Sequence, residues 1–320
     1  MAATVDNFIY KGGCTTYDGS PTSSFKHKLN AIGVSFSSLQ GFKNASIDDL
    51  NGLTTKEGQY MFTPLSPKEV EAIKKLQSDI DSNKTLQENF IVILTKGFIK
   101  KQLSLIDKIT IDDFNANPIL CHALKLNNSE DFIKYNAYQA ISRSIVTSMG
   151  FLVQDLLLYS SEYVYDGKAY EEGLRTKFDI VIDKLGEVKS FLEIKSGFND
   201  MDAAQIKHYD AEIKRVEAEH NHGYIGITYG KKDAKTVTAG LLENYVENWR
   251  DKTLVGKELW DFVSGVLSYH KLLIRTIDET ANVILNHESI VKKIEEKIST
   301  LKRSFDSEYS SMEEYYDNLW

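Results

Sequence analysis

Asp179, Glu193 and Lys195 are the residues of this 320-residue chain whose types and spacing point most directly to chemistry. They lie in Lys177-Phe-Asp-Ile-Val-Ile-Asp-Lys-Leu-Gly-Glu-Val-Lys-Ser-Phe-Leu-Glu-Ile-Lys195, two apolar runs around a polar stretch that carries Gly186. Residues 178–182 and 188–194 read as strands, and 183–187 as the turn of a β-hairpin. With its centre at Gly186, Asp179 is seven residues before the centre and Glu193 seven after it. Opposed residues of a strand pair have Cβ atoms about 5 Å apart. Side chains alternate along a strand, so Glu193 and Lys195 share one face while Leu192 and Ile194 take the other. Like charges placed opposite one another are unfavourable, and a buried carboxylate loses hydration unless something pairs with it. A divalent cation resolves both costs. Mg²⁺ takes oxygen ligands, commonly one or two carboxylates completed by waters and phosphate oxygens, and Lys195 would face the same water or phosphate. The bland alternative is a solvated hairpin face with one ordinary salt bridge. The apolar flanks and the symmetry about the turn favour the site.

An acid on one strand followed by (D/E)-x-K on the next resembles the PD-(D/E)xK nuclease superfamily, over about residues 135–265. Here the pattern is Asp179 and Glu193-Ile194-Lys195, with Phe178 where the family places a proline. Gln205-x-x-x-Tyr209 resembles a motif of the RecB-like branch, and Gly256-Lys-Glu-Leu-Trp260 resembles a Gly-x-x-(F/L)-W segment near the end of several type II restriction endonucleases. The resemblance implies Mg²⁺, with Mn²⁺ as a substitute, held by Asp179, Glu193 and the Ile194 carbonyl. It gives Lys195 the task of orienting a water or stabilising charge on the phosphate. Gln205 and Tyr209 are accessory candidates. Some family members add an acid from the first helix of the core, for which Asp155, Glu171 and Glu172 are candidates. The activity implied is that of a type II restriction endonuclease, cutting double-stranded DNA to a 5′-phosphate and a 3′-hydroxyl as a homodimer in the bacterial cytoplasm. The alternatives are a RecB-like DNA exonuclease and a catalytically inert nuclease-fold protein that only binds DNA. The complete Asp–Glu–Lys set speaks against inertness.

The elements that must position these residues read as an α/β core, a mixed central β-sheet flanked by helices, with further helical regions at both ends. The expected division is a mostly helical region 1–128 for DNA recognition or dimerisation, a catalytic core 129–270 and a helical region 271–320. Ser66-Pro67-Lys68-Glu69 reads as an N-cap opening a helix through Ile80. Residues 86–106 continue as helix, and 129–149 form a long helix stopped by Gly150, with 151–159 following as a strand or second helix. Asp200 or Asp202 caps a helix that runs to about Glu219. Residues 223–229 read as a buried strand beside the hairpin, and Trp260 as a core residue. Lys26-His27-Lys28 reads as a solvated basic cluster. His220-Asn-His222 reads as a helix-ending turn, since the residues of an HNH nuclease are not adjacent.

Composition bounds the rest. Apolar content of 42% and charged content of 26% are those of an ordinary globular chain. Absence of an uninterrupted apolar run of about 18 residues predicts no membrane partner. Cys14 and Cys121 form neither a metal spacing nor a disulfide framework, which fits a reducing compartment. A net charge of −8 gives no global attraction for nucleic acid, so any affinity must come from local patches that neutralise phosphates.

Overall fold

The computed structural model describes residues 2–54, 63–114, 116–170, 177–198, 201–232 and 235–319. The helices are α1 (Val5–Thr16), α2 (Ser23–Gly33), α3 (Leu39–Asn44), α4 (Ile47–Thr54), α5 (Pro67–Asp79), α6 (Leu86–Lys108), α7 (Pro118–Ala123), α8 (Ser129–Leu158), α9 (Ala203–Ala218), α10 (Val237–Tyr245), α11 (Trp249–Lys252), α12 (Lys257–Ser264), α13 (Tyr269–Ile284), α14 (Ile290–Glu308) and α15 (Met312–Asp317). The strands are β1 (Val164–Asp166), β2 (Ile180–Ile182), β3 (Ser190–Lys195), β4 (His222–Ile227) and β5 (Thr253–Val255). The chain divides into two compact units, Met1–Leu94 with Leu152–Ile277, and Thr95–Phe151 with Asp278–Trp320.

The first unit holds the sheet, in the order β1-β2-β3-β4-β5. β1, β2 and β3 are antiparallel neighbours, and β3, β4 and β5 are parallel. This is the mixed sheet that the alternation of helix and strand predicts. Ile180 faces Leu192 and Ile182 faces Ser190, a register centred on Gly186, whose φ of 82° is one that glycine adopts without steric cost. Helix α9 carries the chain from β3 to the parallel β4, as parallel pairing requires a crossover.

Both faces of the sheet are covered, which is why its strands read as near-continuous apolar runs. Ile180, Ile182, Leu192 and Leu254 face a core shared with Phe8, Leu29 and Tyr159. Val181, Phe191, Ile225, Ile227 and Val255 face Ile206, Ile213 and Val216 of α9. Helix α9 lies so close to β4 that a Cβ on Gly223 would stand 2.9 Å from the Ile213 Cα. Trp260 is buried as expected, and its indole N–H donates to the Thr228 carbonyl at 3.0 Å.

Two expectations are corrected. Gly150 does not stop the helix: α8 runs on to Leu158, and residues 151–159 contain no strand. A glycine inside a helix costs about 1 kcal/mol relative to alanine, and burial of Leu156, Leu157 and Tyr159 offsets it. Lys28 is not solvated. It is 2% exposed, 2.8 Å from Glu69 Oε2, and donates to the Pro64 carbonyl at 3.1 Å. Glu69 also closes the capping box with Ser66 that opens α5.

The second unit is helical. Phe132, Ile133, Ala137, Ile298, Phe305, Tyr315 and Tyr316 form its core. Helix α8 has the length and apolar composition of a membrane-crossing segment. A single helix of this kind is weak evidence of a membrane span, and Phe132, Ile133, Ala137 and Leu157 along it are buried within the fold.

Candidate active site

The ladder between β2 and β3 ends at the Ile180–Leu192 pair. Asp179 is the next residue beyond it, at the open end of the strands. Its N–H donates to the Leu192 carbonyl at 3.0 Å, and its own carbonyl accepts from Gly167 N–H at 2.9 Å. Its carboxylate crosses to β3, where Oδ2 accepts from Ile194 N–H at 3.0 Å. The side chain thereby satisfies a backbone donor that the ladder no longer pairs, and its position is fixed. Its other oxygen is 3.8 Å from the Lys168 ammonium.

Glu193 and Lys195 share a face of β3, and Lys195 Nζ stands 2.9 Å from Glu193 Oε1. Tyr209, on the first turns of α9, is hydrogen-bonded to both, and the Lys195 ammonium lies 5.0 Å from the centre of its ring. Glu193 is only 6% exposed. Burial pushes its carboxyl above the usual range, and the charge of Asp179 pushes it further. Burial works against the charge of Lys195, but hydrogen bonds to Tyr209 and Glu193 outweigh it and hold the ammonium's pKa up. The Tyr209 hydroxyl is raised, chiefly by burial.

The electrostatic influence of Asp179 on Glu193 is the cost that a divalent cation between them would remove. Among the described residues, no group of three or more His, Cys, Asp or Glu is arranged to hold a metal. Two carboxylates and a backbone oxygen nevertheless fit the habit of Mg²⁺, which keeps several waters and takes its remaining ligands from phosphate.

The other sequence candidates are distributed differently. Gln205 is drawn into the start of its own helix: its N–H donates to Asp202 Oδ1 at 2.8 Å, and its Oε1 accepts from Asp202 N–H at 3.2 Å. Asp202 is therefore the cap of α9, and the Gln205 side chain serves the capping box. Glu171, Glu172 and Asp200 lie outside the described residues. Asp155, on α8, lines a cavity of about 280 Å³ together with Lys11, Asp166, Lys168 and Asp179. Its carboxylate is 2.7 Å from the Lys11 ammonium. Neither Lys11 nor Lys168 belongs to any pattern in the sequence. Lys11 sits on the remote helix α1, and Lys168 in the turn after β1, so only the fold brings them to Asp179.

A family model described as type II restriction endonuclease EcoO109I matches residues 86–284, well over half of the chain and including Asp179, Glu193 and Lys195. A search of curated proteins finds no match.

Proposed function

The chain belongs to the EcoO109I family of type II restriction endonucleases, and on that premise we propose that it cuts double-stranded DNA at a specific sequence with Asp179, Glu193 and Lys195. The observation that carries this reading is the meeting of a buried Glu193, made harder to ionise by Asp179, with a Lys195 kept charged by Glu193 and Tyr209. Such opposed environments are a mark of functional carboxylates. Mg²⁺, or Mn²⁺ in its place, would be held by Asp179, Glu193 and the Ile194 carbonyl, and would supply positive charge to the scissile phosphate and acidify an attacking water. Asp179 enters this arrangement already oriented by the Ile194 N–H, so little reorganisation is needed. Lys195 donates to the attacking water or to a phosphate oxygen as its charge develops. Tyr209 and Glu193 limit where the ammonium can go. Attack on phosphorus releases the 3′-oxygen and leaves a 5′-phosphate.

The protein works as a homodimer on a two-fold symmetric site, in the bacterial cytoplasm, with dimer contacts drawn from helices outside residues 150–265 and sequence recognition from the helical regions that flank the core. The location of Tyr209 beside Lys195 favours a second reading, a RecB-like exonuclease. The use of Gln205 in the helix cap removes half of that motif's support. Circular and linear duplex DNA incubated with the protein and Mg²⁺ separate the readings. Discrete fragments from both are expected. Progressive loss from ends alone would establish the exonuclease, and intact DNA in a complex that shifts on a gel would establish an inert binder.

A further inference from the structure

Beside Asp179 the cavity holds a lysine that the chemistry above does not use. Lys11 lies on α1, whose position is set by the core: Phe8 and Ile9 are fully buried, and Phe8 meets Phe90 edge-on at 5.2 Å. Phe90 in turn stacks on Tyr159 at 4.4 Å. The Ala3 N–H, donating to the Ser161 carbonyl at 3.1 Å, ties the chain just before α1 to the end of α8. Lys11 is therefore delivered to the cavity by packing rather than by a loop. Its ammonium is 2.7 Å from Asp155, and the two side chains are 29% and 27% exposed. An ammonium has three donors. Asp155 is its one ion-pair partner among the described residues, and both side chains remain more than a quarter exposed, so the ammonium is accessible from the cavity. The cavity, about 280 Å³, is several times the share of about 30 Å³ that one water takes in the liquid. It has room for a phosphate group.

We propose that Lys11 is a DNA-contacting residue of the cleavage site: its ammonium, held by Asp155 in the free protein, exchanges that partner for an oxygen of a phosphate neighbouring the scissile one. This rests on the nuclease reading. Asp155, Asp166 and Asp179 outnumber Lys11 and Lys168 around the cavity, so by itself it repels phosphate. A divalent cation on Asp179 and Glu193 reverses the balance. Asp166 is already engaged with the N–H of Lys168 at 3.0 Å. Lys11 should therefore matter to binding only when the cation is present, which a purely structural lysine would not do.

The test compares the parent with K11M, which keeps the aliphatic stem, with K11R, and with K75M as a control. Lys75 is an exposed lysine whose partner is Glu71 on the same helix. Affinity for cognate duplex is measured in Ca²⁺ and in chelator across a salt series. K11M is expected to bind about tenfold more weakly in Ca²⁺ and equally in chelator, with a salt slope in Ca²⁺ smaller by about one. K11R restores part of the loss, and K75M matches the parent. A scan replacing single phosphates by neutral methylphosphonates should find one position beside the scissile phosphate that weakens the parent about tenfold and K11M not at all. If K11M fails to fold, D155N provides the same test, since it leaves the ammonium in place and removes its competitor. D155N is expected to bind in Ca²⁺ at least as tightly as the parent. Equal Ca²⁺ affinity and slope for K11M and the parent would overturn the proposal, as would weaker binding by D155N. A parent that neither binds nor cuts duplex DNA would instead overturn the nuclease reading.

Discussion

On the proposed chemistry Lys195 and Asp179 act at different moments, so their substitutions should separate binding from chemistry. The ammonium of Lys195 is useful chiefly when charge develops on the phosphate, so K195A is expected to lower the cleavage rate by about 10²–10³-fold. DNA affinity should stay within about threefold, since an interaction made mainly in the transition state affects rate and not binding. D179N keeps the acceptor for the Ile194 N–H and removes a negative charge that faces phosphate. It should bind cognate DNA in chelator as tightly as the parent or more tightly, and fail to cut in Mg²⁺. Gel shifts in chelator beside cleavage assays in Mg²⁺ check both. Near-parent cutting by either variant would remove these residues from the chemistry.

At the scale of elements, the parts that were legible are those whose signal is local. The register of β2 and β3 follows from symmetry about Gly186, and the start of α5 follows from Ser66-Pro67 and Glu69. What was not legible depends on remote partners. Gly150 reads as a stop until the burial of Leu156 and Leu157 is known. Lys28 reads as solvated until Glu69 is brought 2.8 Å from it. Gln205 has the spacing of a site residue and the position of a cap, and the cap prevails. β1 and β5 have three residues each, too short for periodicity to register. Of the residues proposed for the site, Asp179, Glu193, Lys195 and Tyr209 are readable because they sit on the hairpin and the helix after it, whereas Lys11 on α1 and Lys168 after β1 are brought beside Asp179 only by the fold.

Two further element-level outcomes follow from buried or capped charges. E69Q removes the counter-charge of a lysine that is 2% exposed, and should cost about 3 kcal/mol in urea denaturation, while K28M/E69M should recover most of it. Helix α6 opens with Glu88 accepting from the Thr85 N–H at 3.0 Å and hydroxyl at 2.9 Å. Partial burial pushes the Glu88 carboxyl up, but the Thr85 bonds outweigh it and hold it below the usual range. A depressed folded-state pKa means stability that is present above the unfolded value of about 4.3 and lost as pH falls through the folded value. E88Q should be about 0.5 kcal/mol less stable than the parent at pH 7, with the difference closing in acid. A difference that persists at low pH would show that the charge of Glu88 is not its source.

For the whole molecule, a net charge of −8 gives no general attraction to DNA, so affinity must be concentrated where the chain focuses positive charge, and symmetry is a way to double it. A two-fold dimer presents the same surface twice to the two strands of a palindromic site. The second unit offers a surface suited to that. On α8, Val146 is 72% exposed and Met149 42% exposed, and residues three apart on a helix are neighbours on one face. Apolar side chains grouped on a surface mark interaction sites more often than scattered ones do. Sedimentation should therefore find a mass near twice 36.3 kDa. V146E/M149E should shift the protein toward the single-chain mass without unfolding it, because both residues are exposed in the monomer. The same variant should lose concerted double-strand cutting of a cognate plasmid and accumulate nicked circles, since each site then acts alone on one strand. A parent that sediments only at 36.3 kDa, with and without DNA, would remove the dimer from this account. A V146E/M149E variant that remains dimeric would move the interface to another surface.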